Sequence, residues 1–345
     1  MYAFKYHRPT TVRQAANLLT KFPEAKVLAG GHSLLPTMKL RLSSPSDIID
    51  LGQVEGFSSV ELKGRSLVIG AGTTHFTVAN SDVVKEHLPI LAQLAGSIGD
   101  PAVRHRGTIG GSLANNDPTA DYPAAVMALG ATIVTNKRKL KPEEFFQGLF
   151  TTALEPDEII TKVQFPLPKK AAYIKFRNQA SRYALVGVFV ARRPSDVRVA
   201  VTGAGSEGVF RVTAFEEALK SRFNAKALDG IHVSHDGLNS DIHGSAEYRA
   251  HLIGVLAKRA NMLMQISGGT STQLIGEALD EAAANESVSS IVLEIDSPGG
   301  QVDGVQQLAQ KIQKIRAGGK RVIAWGTGVM ASGAYWIGSA AERVF

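Results

Sequence analysis

The sequence predicts an α+β protein built of two parts of different kind: a glycine-punctuated mixed α+β region up to residue 260 and a parallel α/β segment after it. Through 1–260, short apolar runs of strand length alternate with runs of helical spacing, and glycines close several of the strands. From 265 onward the pattern is strand and helix in βαβα order, which implies a parallel sheet. Composition also steps at this point. All nine histidines precede residue 261, both tryptophans (Trp325 and Trp336) follow it, and the formal charge is +9 before the step and −2 after it.

The totals exclude several classes of function. With 345 residues, 44% of them hydrophobic, the chain has room for two or three packed domains. No apolar run approaches the roughly 18 residues of a membrane span, and the opening MYAFKYHRPTT lacks the basic-then-apolar order of a signal peptide, so a cytoplasmic protein without a transmembrane segment is expected. The absence of cysteine rules out disulfides, thiolate zinc sites, cysteine nucleophiles and cysteine-ligated iron–sulfur clusters on this chain; an electron carrier held here is organic. The net charge of +7 comes from scattered residues and short groups such as Lys137-Arg138-Lys139 without interleaved aromatics, a solvated surface rather than a nucleic-acid face. His232, His235 and His243 fit no standard zinc spacing, so a polar loop is expected there and no metal.

Taken in order, 11–21 (TVRQAANLLTK) puts Val12, Ala15, Ala16, Leu18 and Leu19 on one helical face, with Thr10 or Thr11 as N-cap. Short strands are expected at 26–29, 48–51 and 66–72, the last closed by Gly70 and Gly72, with helical spacing over 76–86 and 88–98. A helix over 122–129, a strand over 131–134, a short helix from 141 and a strand over 159–165 lead to Pro166-Leu167-Pro168, a predicted domain edge. Beyond it, strands at 173–177, 185–191 and 197–201 and helices at 215–219 and 248–260 make a small α+β domain. The expected domains are therefore 1–168, in two subdomains meeting near 52–60, then 169–260, then 261–345.

The chemistry concentrates in the glycine-rich passage 99–125, GDPAVRHRGTIGGSLANNDPTADYPAA. Within it Thr108, Ile109, Gly110, Gly111 and Ser112 offer two adjacent residues without Cβ, so consecutive backbone N–H groups can approach an anion and two hydroxyls can add donors. A second stretch of this type, Ala29, Gly30, Gly31, His32 and Ser33, lies 79 positions upstream, directly after the apolar Val27-Leu28. Two such loops can grip one diphosphate, as a dinucleotide site requires. The alternative is that the glycines only satisfy turn geometry. Neither loop carries the Rossmann fingerprint or a Walker lysine.

The stretch AGGHSLLPTMKLRL at 29–42, the passage 99–125, NQASRYALVGV at 178–188 and VTGAGSEG at 201–208 come in one order that closely resembles the FAD-binding medium subunit of molybdenum hydroxylases, above all the aerobic carbon monoxide dehydrogenase group. The resemblance covers nearly all of 1–260. It implies a two-part FAD-binding domain of PCMH/VAO type followed by a small α+β domain. It also implies that Ala29 to Ser33 and Thr108 to Ser112 hold the FAD diphosphate, that Asp121 sits near the adenosine end, that Ile98, Ile160 and Asn178 lie beside the flavin nucleotide, and that Tyr183 shields the isoalloxazine. The implied partners are a molybdenum-cofactor large subunit, which oxidises the substrate, a small subunit with two [2Fe-2S] clusters, and an acceptor such as a quinone. His32 is expected to bond backbone rather than anchor the flavin covalently.

In the tail, 288–295 (VSSIVLEI) reads as a buried strand ending at Asp296-Ser297-Pro298-Gly299-Gly300, and Gly328-Val329-Met330-Ala331-Ser332-Gly333 follows the strand 322–325. Taken alone, these are two tight turns. Together they resemble the signal-peptide-peptidase class of serine peptidases, of Clp/crotonase fold. That resemblance implies Ser332 as nucleophile and Gly299 and Gly300 as oxyanion hole. The family's lysine base lies beyond the serine, whereas this sequence ends at Phe345 and Lys311, Lys314 and Lys320 match nothing catalytic. An inactive fragment of that α/β fold is therefore expected.

Overall fold

The computed structural model describes residues 1–266, 272–297 and 304–345. They form two compact units, Met1–Met264 and Gln265–Phe345. The division falls four residues after the predicted one, because the helix expected to stop at 260 runs over Ala246–Ile266. Its buried side continues past Leu256 through Ala257 and Ala260 to Met264, so the apolar stripe carries the helix onward.

In the first unit, Asp47–Asp50 is the centre of a small parallel sheet, flanked by Lys5–His7 and Lys26–Leu28. The helix Val12–Lys21 begins where expected, and Thr11 accepts the Gln14 N–H as N-cap. A second, antiparallel sheet orders Val60–Lys63, Ser66–Gly70, Ile160–Pro166, Thr132–Thr135 and Lys139–Leu140. Short helices connect these sheets. Among them are His75–Asn80, Pro89–Gly96, Pro101–Arg106, Ile109–Asn115 and Tyr122–Leu129, the last buried along its whole length.

A third sheet, Lys170–Arg177, Ala184–Arg192, Val197–Thr202 and Phe210–Arg211, is antiparallel throughout. Its strand Ala184–Arg192 is buried at every position but the last. One face, with Phe189, Ala191 and Ala200, joins the core of the preceding sheets. The other, with Val186, Val188, Val190, Val199 and Val201, joins the core that includes Phe215, Leu219, Ile253 and Leu256. Burial on both faces removes the need for polar alternation and explains the unbroken run LVGVFVA.

This third sheet also holds a loop of the first part. The Thr202 hydroxyl lies 2.6 Å from Ala120 O and 3.1 Å from Pro118 O, and Gly203 N–H donates to Pro118 O at 2.8 Å. Thr202 is fully buried. Thr202→Val keeps the volume but leaves these carbonyls short of a donor, at a cost of about 1–3 kcal/mol. Urea unfolding is expected to show a lower midpoint with an unchanged slope; an unchanged midpoint would mean the loop is held elsewhere.

In the second unit, Ser290–Ser297, Arg321–Met330 and Arg343–Val344 form a parallel sheet, as the βαβα order predicts, with helices Thr272–Ala284, Val305–Ala317 and Ser332–Ser339. Its core includes Leu279, Ile291, Leu308, Ile312 and Val322.

Candidate functional site

The first glycine loop leaves the strand Lys26–Leu28 and the second opens the helix Ile109–Asn115. The two touch through their backbones. A Cβ on Gly30 would lie 2.3 Å from Arg106 O and 2.7 Å from Gly107 Cα, so only glycine permits the approach. A Cβ on Gly110 would likewise lie 2.6 Å from Ala71 Cβ, which presses the second loop onto the end of the strand Ser66–Gly70. Gly31 adopts φ +77°, the left-handed region that glycine tolerates.

Together the loops wall a cavity of about 850 Å³, within the roughly 300–1,000 Å³ usual for small-molecule sites. Ala29, Gly30, Gly31, His32 and Ser33 line it from one side, and Thr108, Gly110, Gly111 and Ser112 from the other; Ile98, Asp121, Ile160 and Tyr183 complete the part of the wall read from the sequence. Two of the expected residues stand apart. Ile109 points into the protein core, fully buried. Asn178 organises the turn between the first two strands of the third sheet, its Oδ1 accepting from the N–H groups of Ala180 and Ser181. It thereby presents Ala180, Ser181, Arg182 and Tyr183 to the cavity without lining it.

The loops differ in what they offer. In the second, the N–H of Ile109 donates to Thr73 O at 3.1 Å, that of Gly110 to Ala71 O at 2.9 Å and that of Ser112 to Thr108 O at 3.0 Å; Gly111 donates to the Thr108 hydroxyl at 3.1 Å. The expectation of an anion cradle made of these N–H groups is therefore corrected: helix capping and packing on the strand consume them, and Ser112 and Thr108 contribute hydroxyls. In the first loop, the N–H groups of Gly30, Gly31, His32 and Ser33 have no partner within the protein among the described residues. Backbone donors in the wall of a cavity seek an acceptor.

Asp121 is buried, and both its oxygens are already bonded. Tyr173 OH donates to Oδ1 at 2.6 Å and Lys175 Nζ reaches Oδ2 at 3.0 Å. Burial pushes the carboxyl pKa up, and Lys175 and Tyr173 oppose that push. The acid thus ties the cavity wall to the strand Lys170–Arg177, a contact the sequence did not announce. Among the lining residues that escaped the sequence reading are His75, Leu154 and Glu158. Burial lowers the His75 pKa to about 4, aided by the charges of His32 and Arg104, so its ring is neutral at pH 7. The one available signal for it was a polar run, Thr73-Thr74-His75, placed directly after the strand-closing Gly70-Ala71-Gly72.

Ser332 starts the helix Ser332–Ser339 with φ +51°, and Gly299 and Gly300 lie outside the described residues. Lys311 is paired with Asp280 at 2.5 Å, and Lys320 donates to Ala282 O and Asn285 O. No group of three or more metal-ligating side chains occurs among the described residues, and none of the helices described there is long and apolar enough to cross a membrane.

Burial works against ionisation of Glu158, but hydrogen bonds from Arg138 (Nη2 at 2.9 Å), Thr135 (2.7 Å) and the Glu155 N–H (3.0 Å) outweigh it and hold the carboxyl pKa down at about 2. A carboxyl with a native pKa below its unfolded value stabilises the fold above the unfolded pKa, and the contribution disappears as pH falls through the native one. Glu158→Gln is expected to lower the urea midpoint at pH 7, and its gap to the wild type is expected to close between pH 4.5 and 2. A gap independent of pH would contradict the assignment.

The family described as "FAD binding domain in molybdopterin dehydrogenase" matches residues 2–168. The nicotine 6-hydroxylase medium subunit of Paenarthrobacter nicotinovorans is 38% identical over 74% of this chain and 95% of its own length. The carbon monoxide dehydrogenase medium chain of Afipia carboxidovorans is 35% identical over 75% of this chain and 95% of its own length. A solved carbon monoxide dehydrogenase from Hydrogenophaga pseudoflava superposes with a TM-score of 0.70 at 33% identity, covering 76% of this chain and 98% of that one. With its paired glycine loops closing one dinucleotide-sized cavity, the chain belongs to the FAD-binding medium subunits of the molybdenum hydroxylases.

Proposed function

We propose that residues 1–168 hold FAD in the cavity between the glycine loops, that 169–264 brace its far wall, and that the chain passes electrons from the iron–sulfur clusters of a small subunit to an acceptor such as a quinone. A molybdenum-cofactor large subunit would oxidise the substrate. The observation that carries the reading is the set of unpaired N–H groups at Gly30, Gly31, His32 and Ser33 in the cavity wall. These, with the hydroxyls of Ser33, Thr108 and Ser112, would bind the diphosphate by charge-assisted hydrogen bonds, at no cost of buried cations.

The apolar side chains of Ile98 and Ile160 would exclude water around the nucleotide, and the exposed Tyr183, on its turn at the rim, would cover the isoalloxazine. Asp121 would fix the far wall through Lys175 and Tyr173 rather than serve as a free acceptor. Bound FAD supplies a carrier that takes up and releases electrons singly or in pairs. The lack of cysteine leaves clusters to partner chains.

The purified chain is expected to be yellow or to quench added FAD fluorescence on binding. Gly30→Val with Gly110→Val, which drives side chains into Arg106 and Ala71, is expected to abolish binding; a colourless wild type that ignores FAD would overturn the proposal. The tail carries no histidine and its Lys311 and Lys320 are bonded elsewhere. A fluorophosphonate probe is accordingly expected to leave Ser332 unlabelled.

A further inference from the structure

His75 is the ionisable group in the cavity wall that keeps a buried ring nitrogen, Nδ1, without a hydrogen-bond partner. Its place is dictated by the chain. Thr74 caps the helix His75–Asn80, accepting from the Thr77 N–H, and Thr74 pairs with Thr108 across a one-residue antiparallel bridge. The His75 N–H donates to Gly107 O at 2.9 Å. The residue therefore hangs from the same backbone contact that seats the second glycine loop. Its ring packs at a tilt against Tyr122, with centroids 5.3 Å apart.

The side chain is only 5% exposed, yet it lines the cavity. Its Nδ1 is buried with no hydrogen-bond partner. Its Nε2 faces Gly107, where a Cβ would come within 2.6 Å. A neutral imidazole carries one N–H and one lone pair. Placing the hydrogen on Nδ1 would bury an unsatisfied donor beside Tyr122. Placing it on Nε2 leaves only a lone pair buried, the cheaper arrangement, since under-satisfied acceptors are tolerated better than orphaned donors. A polar ring buried in a binding cavity, with a donor left over, is satisfied by a ligand.

We propose that His75 binds FAD directly, its neutral ring donating an Nε2–H hydrogen bond to an acceptor oxygen of the dinucleotide beside the second glycine loop. The inference rests on the cavity being the FAD site. It adds to the loop N–H groups a side-chain donor whose neutrality does not depend on physiological pH, because burial and the neighbouring His32 and Arg104 disfavour the imidazolium.

The test compares FAD binding, by quenching of flavin fluorescence at pH 7.5, for the wild type, His75→Leu and His75→Gln. His75→Leu is expected to bind about tenfold more weakly, the loss of one hydrogen bond, with Gln restoring part of it. Equal affinity for wild type and His75→Leu would overturn the inference while leaving FAD binding intact, whereas failure of the wild type to bind would overturn the functional reading instead. A long-range ¹H–¹⁵N spectrum of the wild type serves if the variants do not fold. His75, its pKa lowered to about 4, is still neutral near pH 5.5; its Nε2 is expected to be the protonated nitrogen and to shift when FAD is added. An Nδ1–H tautomer, or an Nε2 signal indifferent to FAD, would refute the contact.

Discussion

The approach of the Gly30 backbone to Arg106 and Gly107 is the contact on which the site depends. Two segments more than seventy positions apart meet at a distance that no side chain permits, Gly30 against Arg106 O, and Gly110 closes as tightly on Ala71. Because those contacts are backbone to backbone, they set the width of the cavity without relying on rotamers. They also decide which donors remain free. The second loop spends its N–H groups on Thr73, Ala71 and its own cap, so it is rigid; the first keeps its N–H groups available. One loop is a packed wall and the other a set of free donors.

The wall needs support from outside the two glycine loops, and the third sheet provides it. Asp121 accepts from Tyr173 and Lys175, and Thr202 and Gly203 hold the carbonyls of Pro118 and Ala120. A buried carboxylate in this position is worth keeping only while both partners are present, since removing one leaves an uncompensated charge. The sheet's other contribution is apolar: Phe189, Ala191 and Ala200 share the core of the preceding sheets. Residues 169–264 therefore act on the cavity through packing and hydrogen bonds together, and the unit up to Met264 is compact as a whole.

The donors of this cavity carry little formal charge. Its unpaired donors are backbone N–H groups of an irregular loop, where no positive side chain must be desolvated, and His75 is held neutral by burial. Arg182 reaches the cavity from the turn that Asn178 organises, and it is exposed. The basic balance of the chain belongs to the surface, in pairs such as Lys137 with Glu155 and Asp157.

The sequence by itself determined the glycine loops, the strands and helices that deliver them, the two-part composition and the family, because glycine in a loop and hydrophobic period report local backbone demands. Thr108 to Ser112 were legible as a special passage from two adjacent glycines alone. What those glycines are for was decided by tertiary structure. Gly110 is there to admit Ala71, and its N–H is spent. The partners of Asp121 and Asn178 and the burial of His75 were equally hidden. Periodicity says which face of an element is buried but not which atoms meet there, and the partners of Asp121 lie more than fifty positions along the chain. A buried histidine with an unsatisfied nitrogen becomes visible only once every neighbour that might have satisfied it has been placed.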